Sequence, residues 1–174
     1  MKKPLVVNMF AAPGSGKSTT ASGLFHELKS NGINAELATE FAKDITWAER
    51  HKALQDQFYI FGKQHHRLHV LQQDVDVIIT DAPLFLAVIY SDNYPYCFKQ
   101  TVVWAFNQFN NLNFLLKRTK EYNPKGRHQT EAESNALQNV IRSALDEYSI
   151  DYFVTEGNKN GLQVIYNKVI ASLA

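Results

Sequence analysis

Short apolar runs alternate with segments of helix length along this chain. The runs typical of β-strands lie at residues 5–10, 35–38, 75–80, 112–116 and 152–154. The first and third are apolar enough to be buried on both faces of a sheet. Between the runs, the pattern predicts helices at residues 17–30, 47–73, 83–90, 98–108, 131–148 and 161–173. This alternation is typical of the α/β class and predicts a five-stranded parallel sheet with helices on both faces.

Length and charge narrow the possible classes of protein. The 174 residues are enough for one domain with a substantial core, spanning 1–174. The net charge of +1 gives no general attraction to nucleic acids or membranes. The single cysteine, Cys97, excludes an internal disulfide and fits a reducing compartment. Because no apolar run approaches the length needed to span a bilayer, we expect a soluble, cytoplasmic protein without a membrane partner.

The segment after the first strand reads as a phosphate-binding loop. Residues 11–18, AAPGSGKS, match the pattern G-x-x-x-x-G-K-[ST] except that Ala11 replaces the first glycine. In this pattern, glycines let backbone N–H groups surround the phosphates, the lysine reaches the β- and γ-phosphates, and the serine hydroxyl ligates Mg²⁺. A helix that begins directly after the loop adds its positive end to the same site. The loop therefore predicts binding of ATP with Mg²⁺ through Pro13, Gly14, Ser15, Gly16, Lys17, Ser18 and Thr19.

Asp81 ends the third strand. An acid at this place in a phosphate-loop protein lies beside the loop, where it holds Mg²⁺ or acts as a base toward the attacking hydroxyl. Ser18 and Asp81 are therefore the predicted metal ligands. The alternative role for Asp81 is to cap a helix that begins at Pro83, and the two roles are compatible.

Glu40 follows the second strand and is expected to face the same crevice. There it could accept a proton from a substrate hydroxyl or bind a sugar hydroxyl. A solvated loop acid is an almost equal alternative. The sequence leaves open whether Glu40 or Asp81 acts as the base.

A basic segment at about 118–130 follows the fourth strand and is predicted to be a lid. Its Arg118 and Arg127 are expected to close over the transferring phosphoryl group, because cations there stabilise the charge that develops during transfer. The alternative is a solvated basic loop.

The predicted helix at 47–73 carries both core positions and polar candidates. Leu54, Phe58 and Leu68 are among the residues at core spacing, whereas Gln57 and Gln64 either read a base or face solvent. For Trp47 and Trp104, packing against the core is favoured over stacking on a base. The nearby histidines 65, 66 and 69 lack further ligands for a metal site.

Several of these stretches together resemble the ribosylnicotinamide kinase domain of the bacterial NAD-regulatory proteins, within the small phosphate-loop kinases of nucleosides and nucleotides. The stretches are the phosphate loop, Thr39-Glu40-Phe41, the block from 53 to 59, Thr80-Asp81, and residues 114–118 followed by Gly126-Arg127. The resemblance implies a P-loop NTPase fold, ATP with Mg²⁺, a carboxylate near the acceptor hydroxyl, and a nucleoside-like acceptor. These roles would fall on Lys17, Ser18, Glu40, Asp81, Arg118 and Arg127.

The leading hypothesis from the sequence is a kinase that moves the γ-phosphoryl group of ATP to a nucleoside, a nucleotide or a similar small molecule. One alternative is a regulatory ATPase or switch, although the N-K-x-D motif of guanine-nucleotide switches is absent. The other is a kinase that acts on a nucleic-acid end or a modified base, which would need a basic groove.

Overall fold

A parallel sheet of five strands, in the order β2-β3-β1-β4-β5, forms the centre of the protein in a computed structural model that describes residues 3–123 and 130–173. The strands are β1 (Leu5–Phe10), β2 (Ala35–Ala38), β3 (Val77–Thr80), β4 (Asn110–Lys117) and β5 (Phe153–Glu156). All four strand pairs are parallel. The predicted α/β fold with its five-stranded parallel sheet is confirmed, and β1 occupies the middle.

The helices connect these strands. They are α1 (Lys17–Ser30), α2 (Phe41–Trp47), α3 (His51–Leu54), α4 (Gln57–His69), α5 (Leu86–Ile89), α6 (Tyr96–Asn107), α7 (Glu131–Glu147) and α8 (Lys159–Leu173). Helix α7 begins with a capping box, in which Thr130 and Glu133 exchange hydrogen bonds. This box fixes the point at which the chain becomes helical again after the predicted lid.

The single long helix predicted at 47–73 is wrong. The chain instead forms α2, α3 and α4, which are separated near Glu49 and near Asp56. Glu49 has a φ of 54°, a left-handed conformation that cannot continue a helix. Asp56 caps α4 by accepting a 3.1 Å hydrogen bond from the Tyr59 amide. Helix α2 begins at Phe41, directly after Glu40 and before the start predicted for the long helix.

Two hydrophobic clusters cover the two faces of the sheet. On one face, Val7 and Ile79 pack with residues of α1 and α8, including Leu24 and Ile165. On the other face, Val6 and Ile78 pack with residues of α4, α5, α6 and α7. Because alternate residues of each strand point to opposite faces, the continuous apolar runs of β1 and β3 supply both clusters. Burial on both faces holds the strand ends, and the loops that follow them, in fixed positions.

Among the described residues, no helix has both the length and the apolar character required to cross a bilayer.

Candidate functional site

The phosphate loop joins the central strand β1 to α1. Gly14 and Gly16 have φ values of 85° and 87°, which only glycine adopts without strain. Gly16 is the N-cap of α1, so Lys17, Ser18 and Thr19 lie in its first turn. The half-buried Lys17 donates a 2.5 Å hydrogen bond from Nζ to the Ala11 carbonyl oxygen. Ala11 itself is 1 % exposed, so a small side chain fits where the pattern has its first glycine.

Two elements outside the phosphate loop contact its backbone. The loop after β5 packs so closely that a Cβ atom on Gly157 would lie 1.8 Å from the Ser15 carbonyl oxygen. On another side, Gln138 of α7 accepts a 2.7 Å hydrogen bond from the Ala12 amide. Ser134 of the same helix donates a 2.8 Å bond to the Pro13 carbonyl oxygen. The loop conformation is therefore fixed by two separate parts of the chain.

Asp81 lies beside the first turn of α1, immediately after β3. Its Oδ2 accepts a 2.5 Å hydrogen bond from the Ser18 hydroxyl. Its Oδ1 is buried and has no hydrogen-bond partner among the described residues. Helix α5 begins only at Leu86, further along than predicted, and the Ala82 amide donates to the Thr80 hydroxyl at 3.1 Å. The Ser18 hydroxyl and the Asp81 carboxylate, whose Oδ1 has no partner among the described residues, are oxygen donors of the kind that suits Mg²⁺.

Glu40 lies between β2 and α2, and its surroundings are charged. Burial raises the pKa of its carboxyl group, Lys17 opposes this, and Asp81 raises the pKa further. Smaller effects come from Lys43, which lowers the pKa, and from Asp44, which raises it. Because β2 pairs with β3 in a register that sets Ala38 beside Thr80, Glu40 lies at the same edge of the sheet as Asp81, within electrostatic range of Asp81 and Lys17.

Tyr90 borders the same region. Desolvation raises the pKa of its hydroxyl, and the negative charge of Glu40 raises it further. The hydroxyl therefore stays protonated at neutral pH and can donate a hydrogen bond.

Arg118 follows β4, and its side chain is only 15 % exposed. Its Nη2 donates to Glu131 Oε1 at 2.9 Å and to Asn135 Oδ1 at 2.5 Å, so the first turns of α7 hold it. Its Nη1 is buried and has no hydrogen-bond partner among residues 3–123 and 130–173. A cavity of about 220 Å³ beside the phosphate loop is lined by Ser15, Arg118 and Arg142. The other predicted lid arginine, Arg127, lies outside the described residues.

The exposure of several side chains differs from what the sequence predicted. Gln64 is 5 % exposed, although solvent exposure was one of its two expected states. Trp47 and Trp104, expected in the core, are 76 % and 64 % exposed. Ser134, Gln138 and Gly157 were not selected, because their functional contacts are with residues distant in the chain.

The central strand, the glycine loop and the acid on the neighbouring strand define a nucleotide-binding protein with the P-loop NTPase fold. A model of the AAA domain family matches residues 6–160, and the chain belongs to this family. No curated protein matches the chain.

Solved structures agree with this fold. The crystal structure of APE1195 is 17 % identical, with a TM-score of 0.59, and the match covers 100 % of this chain and 99 % of that one. The deoxyadenosine kinase of M. mycoides, solved with products dCMP and a flexible dCDP bound, is 18 % identical, with a TM-score of 0.57. That match covers 95 % of this chain and 99 % of the kinase. The fold is therefore similar to that of a nucleoside kinase, while the resemblance to ribosylnicotinamide kinases stays a prediction.

Proposed function

We propose that the protein is a Mg²⁺-ATP-dependent phosphotransferase that moves the γ-phosphoryl group of ATP to a hydroxyl or phosphate of a nucleoside, a nucleotide or a similar small acceptor. The observation that carries the proposal is the position of Glu40, which follows β2 at the same edge of the sheet as Asp81 and lies within electrostatic range of Lys17 and Asp81. A second carboxyl group there can accept the proton of an attacking hydroxyl, which a kinase takes from its acceptor.

On the donor side, Lys17 and the loop amides would bind the β- and γ-phosphates. Ser18 and Asp81 would hold Mg²⁺, and the orphaned Oδ1 of Asp81 fits that role. When bound, Mg²⁺ supplies positive charge at the β- and γ-phosphate oxygens. Arg118, with its orphaned Nη1, would add a further cation beside the loop, and Arg127 would do so from the lid.

On the acceptor side, Glu40 would take the proton from the acceptor hydroxyl. The acceptor oxygen would then form its bond to the γ-phosphorus, while the bond between that phosphorus and the β–γ bridging oxygen breaks and ADP leaves. Burial favours this role, because a carboxylate whose pKa is raised is a stronger base than an ordinary glutamate. Asp81 is already engaged by Ser18, so we assign the base to Glu40.

The test is release of ADP from Mg²⁺-ATP in the presence of separate acceptors: nucleosides, nucleoside monophosphates, nicotinamide riboside and short DNA. We expect release that depends on a small nucleoside-like acceptor, with a phosphorylated product of matching mass. Lys17→Ala is the negative control, because it removes the cation at the transferring phosphates. Turnover that no acceptor accelerates would contradict the proposal and favour a regulatory ATPase, whereas stimulation by DNA alone would favour a nucleic-acid end kinase.

A further inference from the structure

The backbone on both sides of Glu40 is held by one buried side chain. Glu40 is the N-cap of α2, but its carboxylate does not cap the helix. The amide of Phe41, at the first helical position, donates instead to Gln64 Oε1 at 3.0 Å. The other half of the same amide group, Gln64 Nε2, donates to the Thr39 carbonyl oxygen at 3.3 Å. Gln64 therefore satisfies the helix end and leaves the Glu40 carboxylate available.

A second side chain on the same helix acts on the same turn. Arg67 Nη1 donates to the Thr39 carbonyl oxygen at 2.8 Å and to the Thr39 hydroxyl at 2.9 Å. Its Nη2 pairs with Asp44, further along α2. The guanidinium group also lies 5.2 Å from the centre of the Phe41 ring. Residues 39–44, here called the Glu40 turn, are thus attached to α4 at both ends.

Helix α4 is in turn fixed to the sheet. Leu68, one helical turn after Gln64, is 1 % exposed and belongs to the core cluster that contains Val6 and Ile78. Gln64 is itself 5 % exposed, so water cannot readily replace its two hydrogen bonds. Since closely packed cores resist displacement, these contacts hold the Glu40 turn in register with β1 and β3, the strands that carry the phosphate loop and Asp81.

We infer that Gln64, supported by Arg67, is a positioning residue that directs the Glu40 carboxylate toward the phosphate loop. This inference rests on the proposed function and adds to it a residue that would touch neither ATP nor the acceptor. Without the hydrogen bonds of Gln64, the Glu40 turn could move by an ångström or more. A displacement of about 1 Å can lower the reaction rate about a hundredfold.

The experiment is a double-mutant cycle between Gln64→Met and Glu40→Gln, measured on the acceptor-dependent reaction. Methionine keeps the length of the side chain and removes both hydrogen bonds. We expect Gln64→Met to lower kcat by about 10- to 100-fold while the KM for ATP changes by less than about threefold. In the Glu40→Gln background, the same change should lower kcat by less than about twofold, because there is no longer a base to position.

The matched control is Asn113→Leu, which removes buried side-chain hydrogen bonds in β4 at a position 7 % exposed. It is expected to lower the melting temperature without a comparable loss of kcat. Hydrogen exchange of the Phe41 amide gives a readout independent of activity, and Gln64→Met should accelerate it at least about tenfold relative to Asn113→Leu.

The outcomes separate the two proposals. If the wild-type protein transfers no phosphoryl group to any acceptor, the proposed function fails, and the positioning role fails with it. A second outcome is that the wild type is active, but Gln64→Met lowers kcat by the same factor with and without Glu40→Gln. The two residues are then not coupled, and only the positioning role is overturned. An unchanged exchange rate at Phe41 in Gln64→Met would also overturn it, because the hydrogen bonds would then not hold the turn.

Discussion

The Ser18 hydroxyl donates a 2.5 Å hydrogen bond to Asp81 Oδ2, and this bond joins the first turn of α1 to the end of β3. The two residues are distant in the chain but adjacent in space, because β1 and β3 are neighbouring parallel strands whose register pairs Asn8 with Thr80. The carboxyl ends of both strands therefore open onto the same crevice. Under the proposed function, this pair would exchange its mutual hydrogen bond for contacts to a shared cation.

The first prediction concerns this pair. Asp81→Asn keeps an oxygen that can accept from Ser18 but loses the charge that would hold Mg²⁺. We expect turnover to fall by about a hundredfold or more, whereas ATP binding measured without Mg²⁺ changes by less than about threefold. Asp76→Asn is the matched control, because this exposed residue precedes the opposite end of β3. Equal losses of rate and of metal-free ATP binding would instead indicate a structural role for Asp81.

The second prediction concerns pH and Glu40. Because burial raises the pKa of this carboxyl group, kcat/KM for the acceptor should fall with decreasing pH at a higher pH than an ordinary glutamate would give. Glu40→Gln should remove that acid limb and lower kcat by about 10²- to 10⁴-fold. Glu27→Gln, on the exposed face of α1, is the control and should leave the profile unchanged.

The same residue gives a third prediction, on stability. The pKa of Glu40 is raised in the folded protein, so the folded state binds the proton of this carboxyl group more tightly than the unfolded state does. The ionised form therefore destabilises the protein once the pH exceeds the folded pKa. Glu40→Gln should raise the melting temperature at pH 8, and the gain should vanish as the pH is lowered through the unfolded pKa. A variant less stable than wild type at pH 8 would contradict this sign.

The fourth prediction concerns the contact between Gly157 and the phosphate loop. In Gly157→Ala, the new Cβ would lie 1.8 Å from the Ser15 carbonyl oxygen, so one of the two backbones must move. We expect a loss of about 1–3 kcal/mol in the free energy of unfolding and weaker nucleotide binding, measured by calorimetry. Gly62→Ala is the control. Gly62 lies within α4, and a Cβ atom there would meet no side chain and no other element within 4 Å. This substitution should stabilise the protein by about 0.5–1 kcal/mol.

The fifth prediction concerns α7. Gln138 accepts from the Ala12 amide and donates to the Leu116 carbonyl oxygen at 3.0 Å, so Gln138→Leu removes the side-chain hydrogen bonds to two backbone groups. We expect a loss of about 1–3 kcal/mol in the free energy of unfolding, together with weaker ATP binding. The exposed neighbour Asn139→Leu should do neither. Intact ATP affinity in Gln138→Leu would show that the loop keeps its shape without α7.

Sequence patterns were reliable where local chemistry alone decides the structure. The apolar runs of β1 and β3 are buried on both faces, and the glycines at 14 and 16 adopt the left-handed conformation that a phosphate loop requires. These features depend on neighbours in the chain. The break at Asp56 was missed, although aspartate is one of the residues favoured at the N-cap of a helix.

Gln64 shows why the long-range contacts around the candidate site could not be predicted as easily from the sequence. It lies three residues after Phe61 and four before Leu68, on the same helical face as these apolar residues, whereas the sequence predicted a base contact or solvent exposure. A glutamine is buried only where partners exist, and its partners at residues 39 and 41 become visible only after the fold brings α4 beside the Glu40 turn. The same holds for Gln138 and Gly157, whose contacts with the phosphate loop join residues distant in the chain.

The position of the Glu40 turn within the topology also bears on how such a protein diversifies. One uninterrupted piece of chain, from the end of β2 to the start of β3, contains Glu40, α2, α3 and α4, whereas the phosphate loop, Asp81 and Arg118 belong to other segments. Under the proposed function, recombination or grafting of that piece alone would exchange the acceptor side of the crevice for another. The nucleotide-binding segments would be inherited unchanged, so acceptor preference would then be carried by one transplantable stretch of the chain.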